Sequence, residues 1–298
     1  MMESIQKNYV DYAKAWILTT RPKTLILSIF PFLVGSLIAE ATAGHLDIAI
    51  MAFAATSALF IQIGTNFIND VYDFKNKADK TSRLGPKRGI QSGILTSTEV
   101  YLAALFCFAI ALLLGIPLVI KGGVVICAVL LLSVICGYIY TGGPKPLAYN
   151  GLGELFVILF FGLTSTLCAF YLQTGFVTWE LAVTGLQLGC LASMPIAINN
   201  LRDIEDDAAV NKKTLAVRFG KTFARAEITL LALFPFALNV YAANFWTFNY
   251  LTLFIFALLL IINIWRTEPS ALYNTFLARS VILYIVFSLF VVDGFLRV

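Results

Sequence analysis

The chain of 298 residues is 59% hydrophobic and only 13% charged, with a mean hydropathy of +0.85. That composition excludes a soluble globular domain and makes a bilayer the natural solvent. The formal charge of +4 requires no nucleic-acid partner.

Apolar runs near or above the ~20 residues that span hydrocarbon recur at 24–39, 46–68, 98–120, 122–141, 151–173, 178–199, 222–243, 246–265 and 276–296. They predict an all-α integral membrane protein of nine transmembrane helices, forming one domain over 1–298. Pro31, Pro117, Pro195 and Pro235 fall inside these runs, as membrane helices tolerate. Ahead of the first run, residues 1–20 mix charges with Tyr9, Tyr12, Trp16, Ile17 and Leu18 and lack a signal-peptide cleavage pattern. This segment reads as an interfacial amphipathic helix.

Nineteen of the 21 Lys and Arg residues fall in 1–23, 74–96, 142–150, 202–225 and 266–279, all on the N-terminal side of a nine-helix topology; the other side holds Lys121 and Arg297. The positive-inside rule then predicts a cytoplasmic N-terminus and an external C-terminus. All five cysteines lie inside apolar runs without metal-ligand spacing and read as packing residues. His45 sits in a short external loop, a solvated position.

Charge is scarce, so its clustering carries information. Seven of the seventeen acids fall in two stretches. The first, ending the second run, holds Asn69, Asp70, Tyr72, Asp73 and Asp79; the second, ending the sixth, holds Asn199, Asn200, Arg202, Asp203, Glu205, Asp206 and Asp207. Asn69 and Asp73 are four apart, as are Asn199, Asp203 and Asp207, so each set shares one helical face. The two N-x-x-x-D patterns lie 130 residues apart with four helices between them, which places both on one side of the membrane and points to an internal repeat of about four helices. Clustered carboxylates repel one another unless a cation neutralises them. Hard oxygen ligands of this type select Mg²⁺ or Ca²⁺, and Mg²⁺ characteristically bridges a few carboxylates to substrate phosphates. Basic loops follow both clusters, with Arg83, Lys87 and Arg88 after the first and Lys212, Lys213 and Arg218 after the second. Metal-holding acids beside cations suit a metal-bound diphosphate.

Intramembrane acids and an internal repeat also describe secondary transporters, but carrier acids belong near the bilayer midplane, not at helix ends beside basic loops. Membrane phosphatidyltransferases also pair Asp motifs, within a single helix pair.

The two clusters resemble the paired Asp-rich motifs of the UbiA superfamily of intramembrane prenyltransferases, over nearly the whole chain. The second motif matches as Asn199, Asp203 and Asp207; in the first, Lys77 stands where a further Asp is usual, and the acid comes at Asp79. That displacement resembles the branch that prenylates 1,4-dihydroxy-2-naphthoate in menaquinone synthesis. Arg21-Pro22-Lys23-Thr24-Leu25, Gly142-Gly143, Gly151-Leu152-Gly153-Glu154, Tyr171-Leu172-Gln173 and Lys213-Thr214-Leu215 agree with it, though many members carry Asp at the position of Glu154.

The resemblance implies an Mg²⁺-dependent transfer of a polyprenyl group from polyprenyl diphosphate to the naphthoate, with decarboxylation to a demethylmenaquinol. It implies an active site facing the cytoplasm from the inner membrane. Another acceptor, such as 4-hydroxybenzoate, is the alternative within the superfamily. Under this reading Asn69, Asp70, Asp73, Asp79, Asn199, Asp203 and Asp207 are metal ligands. Arg83, Lys145 and Lys213 serve the diphosphate, Tyr140 and Tyr72 flank an allylic cation, and Arg21 and Arg202 receive the naphthoate carboxylate.

Overall fold

The computed structural model describes residues 2–76, 84, 89–240 and 248–297, which form helices and connecting turns with no strand among them. Asp79 and Arg83 lie outside the described residues. Helix α1 (Met2–Thr20) meets α2 (Pro22–Ala43) at Arg21, whose left-handed backbone, φ 57°, breaks the helix before Pro22. Proline at the first helical position costs no hydrogen bond. Then follow α3 (Ile48–Lys75), α4 (Ser97–Ile139), α5 (Gly153–Thr174), α6 (Trp179–Arg202) and the short α7 (Ile204–Ala209). The chain closes with α8 (Leu215–Ala237), α9 (Phe248–Arg266) and α10 (Tyr273–Leu296). Six of the described helices, α2 to α6 and α10, are long and apolar enough to cross a membrane.

The 43 residues of α4 are too long for one crossing, and the helix is broken at Gly123, where φ 67° and ψ −154° define a backbone open essentially to glycine alone. Its halves fold back on each other. A Cβ on Gly115 would lie 2.2 Å from Leu130, and one on Gly137 would lie 3.6 Å from Phe108; both pairs are symmetric about the break. Lys121, beside this turn, pairs at 2.9 Å with Asp47, the residue capping α3. The break is therefore a hairpin turn, at the boundary between two apolar runs of the sequence.

Helix α6 is the axis of the bundle, with 83% of its apolar window buried against 28–50% for the other long helices. Lipid offers helices no hydrophobic drive to associate, so close backbone packing must supply the cohesion. Gly162 of α5 meets Gly185 and Gly189 of α6 so closely that a Cβ on it would lie 2.3 Å from backbone atoms of both. That contact falls in a π-helical stretch of α5, Ile158–Thr164, a distortion common at functional sites. Helix α1 is docked, as its Trp16 ring packs edge-on against Phe67 at 5.5 Å and Thr19 accepts from the Gly89 N–H at 3.1 Å. Exposed Tyr9, Val10 and Ile17 suit a helix lying in an interface.

Candidate functional site

The C-terminal ends of α3 and α6 open into one cavity of about 600 Å³, within the range of small-molecule sites. Its polar end carries Arg21, Asn69, Asp73, Asn199, Arg202, Asp203, Asp206, Asp207 and Lys212. The face of α3 lines it from Ala54 to Asp73, about 28 Å of helix, and the deep end is walled by Phe32, Leu118, Ile126, Phe160, Phe161 and Leu172. The cavity thus has a charged head and a long apolar body.

Asp73, Asp203 and Asp207 at the head are each held by a neighbour. Tyr149, in a turn of 3-10 helix at Ala148–Asn150, donates its hydroxyl to Asp73 at 2.8 Å, while its carbonyl accepts from the Lys213 N–H at 3.0 Å. One residue thereby ties the first cluster to the loop after the second. Burial, then the Asp73 charge, pushes the Tyr149 phenol above its ordinary pKa, so it remains a donor. Arg202 grips Asp203 with two parallel bonds of 2.7 Å, Asn199 at 2.6 Å and Asn274 of α10 at 2.5 Å. Its side chain is 2% exposed. Arg21 donates to Asn69 Oδ1.

Asn211, with φ 57°, ends α7 in the left-handed conformation that Asn tolerates. The chain then turns back, so that the Lys212 N–H bonds the Asp207 carbonyl at 2.9 Å and its Nζ reaches Asp207 Oδ1 at 3.1 Å. The same Nζ stands 5.8 Å over the Tyr149 ring. Burial pushes the Asp207 carboxyl up from the ordinary range; Lys212 opposes this, and Asp203 and Asp73 add to it. The carboxylates of both clusters therefore act on one another across the cavity head.

A model of the UbiA prenyltransferase family matches residues 28–291. The chain belongs to this family. It is 35% identical over 226 residues to the 1,4-dihydroxy-2-naphthoate octaprenyltransferase of Escherichia coli (strain K12), covering 72% of each chain. To the protein of the same name in Haemophilus influenzae it is 33% identical over 249 residues, 80% of each. The solved structure of a UbiA homolog from Archaeoglobus fulgidus bound to GPP and Mg²⁺ matches with a TM-score of 0.67 at 16% identity, covering 95% of this chain and 100% of that one, a likeness of fold. Family and helices together make this a multi-pass membrane enzyme.

Within this UbiA fold the positions expected from the sequence divide. Asn69, Asp73, Asn199, Asp203, Asp207, Arg21, Arg202 and Tyr140 line the cavity. Asp70 is buried and turned toward the backbone N–H of Ile90, 3.5 Å away, because neighbouring helical residues point about 100° apart. Tyr72 hydrogen-bonds Tyr138 at 3.0 Å behind the wall. Lys145 and Lys213 are exposed and outside the cavity lining; Lys212 takes the inward position. Tyr149 and Asn274 carried no sequence signal. Lys212 had one, the turn-forming Asn211 before it.

Among the described residues no three carboxylate, imidazole or thiol groups stand close enough to form a metal site by themselves. Asp203 and Asp207 are each neutralised by a protein cation. The donors nevertheless fit a hard cation. They are carboxylate and amide oxygens from two helix ends, and the second oxygen of Asp207 is buried with no hydrogen-bond partner.

Proposed function

We propose that this chain transfers a polyprenyl group from polyprenyl diphosphate to 1,4-dihydroxy-2-naphthoate, with loss of the ring carboxylate as carbon dioxide, to give a demethylmenaquinol. The observation that carries this is the meeting of two Asn/Asp faces, from α3 and α6, at the head of a long apolar cavity. It provides a polar end for a diphosphate and a dry body for its tail. The naphthoate as acceptor is supported by relatives of that name at 33–35% identity.

Asp73, Asp203 and Asp207, with Asn69 and Asn199, hold Mg²⁺ in this reading, and Asp79, outside the described residues, remains a further ligand by resemblance. Mg²⁺ supplies positive charge to the leaving diphosphate. Lys212 adds to that charge from the chain itself, and Arg83, outside the described residues, remains a further candidate by resemblance. Tyr149 and Arg202 orient Asp73 and Asp203. The Phe160, Phe161 and Leu172 wall excludes water that would otherwise quench an allylic cation, and Tyr140 presents its ring at the cavity head. Arg21, beside Asn69, and Arg202 at the same cavity head receive the carboxylate of the acceptor.

Nine transmembrane helices in one domain over 1–298, with the N-terminus and the site at the cytoplasmic face of the inner membrane, complete the reading. The hairpin at Gly123 and the 19-to-2 division of Lys and Arg support it. Purified protein given Mg²⁺, a polyprenyl diphosphate and the naphthoate should release carbon dioxide and form prenylated naphthoquinol. Asp73→Ala and Asp203→Ala should each abolish this turnover. Near-normal rates in both would sink the proposed metal site, and preference for 4-hydroxybenzoate in a competition assay would overturn the acceptor.

A further inference from the structure

Glu154, the second residue of α5, is a buried carboxyl that the mechanism above does not use. One oxygen, Oε1, accepts from Asn200 Nδ2 at 2.6 Å; the other, Oε2, is buried with no hydrogen-bond partner. Its backbone carbonyl accepts from Ser193 at 2.8 Å, two turns before Asn200 on the same face of α6, so the two helices are locked together here. No described Lys or Arg pairs with it; the hydrogen bond from Asn200 is the one its carboxyl receives among the described residues. An acid held at this depth without a cation is costly and constrains whatever lies beside it.

The constraint falls on Asn200. A carboxylate only accepts hydrogen bonds, so the amide must turn its NH₂ toward Glu154. Its Oδ1 is then aimed elsewhere, and Asn200 lines the cavity, where no described donor reaches that oxygen. One acceptor oxygen short of a donor, Asn200 Oδ1, thus stands at the wall, which Gly153 and Tyr140 also line, with the buried Glu154 carboxyl behind it. Such a place repels a diphosphate or a carboxylate and takes a hydrogen-bond donor.

We infer that Asn200, aimed by Glu154, forms a subsite that accepts a hydrogen bond from a ring hydroxyl of the aromatic substrate and so selects a dihydroxy arene over a monohydroxy one. This rests on the prenyl-transfer reading and deepens it. Asn200 touches the substrate; Glu154 is a positioning residue behind it.

The test compares the KM for 1,4-dihydroxy-2-naphthoate with the inhibition constant of 1-hydroxy-2-naphthoate, which lacks one hydroxyl. In the parent protein the dihydroxy compound should bind about fivefold better, the worth of one neutral hydrogen bond. Asn200→Ser and Glu154→Ala should each bring that ratio close to one while the KM for polyprenyl diphosphate and the Mg²⁺ half-saturation stay unchanged. Glu154→Gln, which keeps an oxygen for Asn200 Nδ2, should restore most of the ratio. A ratio that persists in Asn200→Ser or Glu154→Ala overturns the inference, as does a parallel rise in the diphosphate KM, which marks a structural role only. If the parent forms no prenylated product from the naphthoate, the reaction assigned to the site fails instead, and the two failures are distinct.

Discussion

Arg202→Met removes one guanidinium that serves Asp203, Asn199 and Asn274 at once. With side-chain exposures of 2% and 10% for Arg202 and Asp203, the change leaves a carboxylate unpaired in a poorly solvated place. Breaking such a pair costs about 3–5 kcal/mol, a large part of the ~5–15 kcal/mol that holds a domain folded. Arg202→Lys keeps the charge but not the planar fork, and losing two charge-assisted bonds should cost about 3 kcal/mol. A divalent cation at Asp203 would replace part of the missing charge, so the penalty should shrink by at least ~1 kcal/mol when Mg²⁺ and a diphosphate are added. Thermal unfolding in detergent micelles, followed by tryptophan fluorescence with and without Mg²⁺, measures this directly. Turnover should fall at least ~100-fold in Arg202→Met as Asn199 and Asp203 lose their orientation. An unfolding midpoint and Mg²⁺ dependence equal to those of the parent would refute the reasoning, because both depend on Arg202 organising the second cluster.

Lys212→Met should raise the KM for polyprenyl diphosphate about tenfold, the worth of one charge-assisted bond, while Lys213→Met leaves it nearly unchanged; equal effects would contradict the inward placement of Lys212 alone. Gly162→Ala should lower the thermal midpoint, since the new Cβ would lie 2.3 Å from Gly185 and Gly189 backbone atoms, and overpacking of that kind costs about 1–3 kcal/mol. An unshifted midpoint would mean that α5 and α6 are not in such close contact. Lys121, followed by the Ile50 N–H, holds the Asp47 carboxyl below the ordinary carboxylate range. The stability contributed by this carboxylate is therefore complete above its unfolded-state range and lost as the pH falls through the depressed pKa. Asp47→Asn should cost under ~1 kcal/mol near neutrality, because the pair is part-exposed, with the difference from the parent vanishing in acid; a difference that persists there would exclude the ion pair as its source.

The sequence by itself determined the membrane setting, the positions of the six described helices long and apolar enough to span, and the common spacing of the two N-x-x-x-D faces. Hydropathy and a four-residue spacing are local properties that survive any tertiary arrangement. It marked the boundary near which α4 turns, because two apolar runs of spanning length meet at Lys121, two residues before the break at Gly123. It did not separate Asp70 from Asp73, although helical geometry already assigns them to different faces; only packing against the loop at Ile90 decided which face was the cavity. Nor did it separate Lys212 from Lys213, since both lie in one basic loop and the choice depends on the left-handed turn at Asn211. Tyr149, Asn274 and the Glu154–Asn200 bond join segments between 46 and 76 residues apart. Such partners are set by how α3, α5, α6 and α10 cross, and that crossing rests on close backbone contacts such as Gly162 against Gly185 and Gly189. The ligand types were thus written along the chain, while their partners, and the side chains that aim them, exist only once the helices are packed.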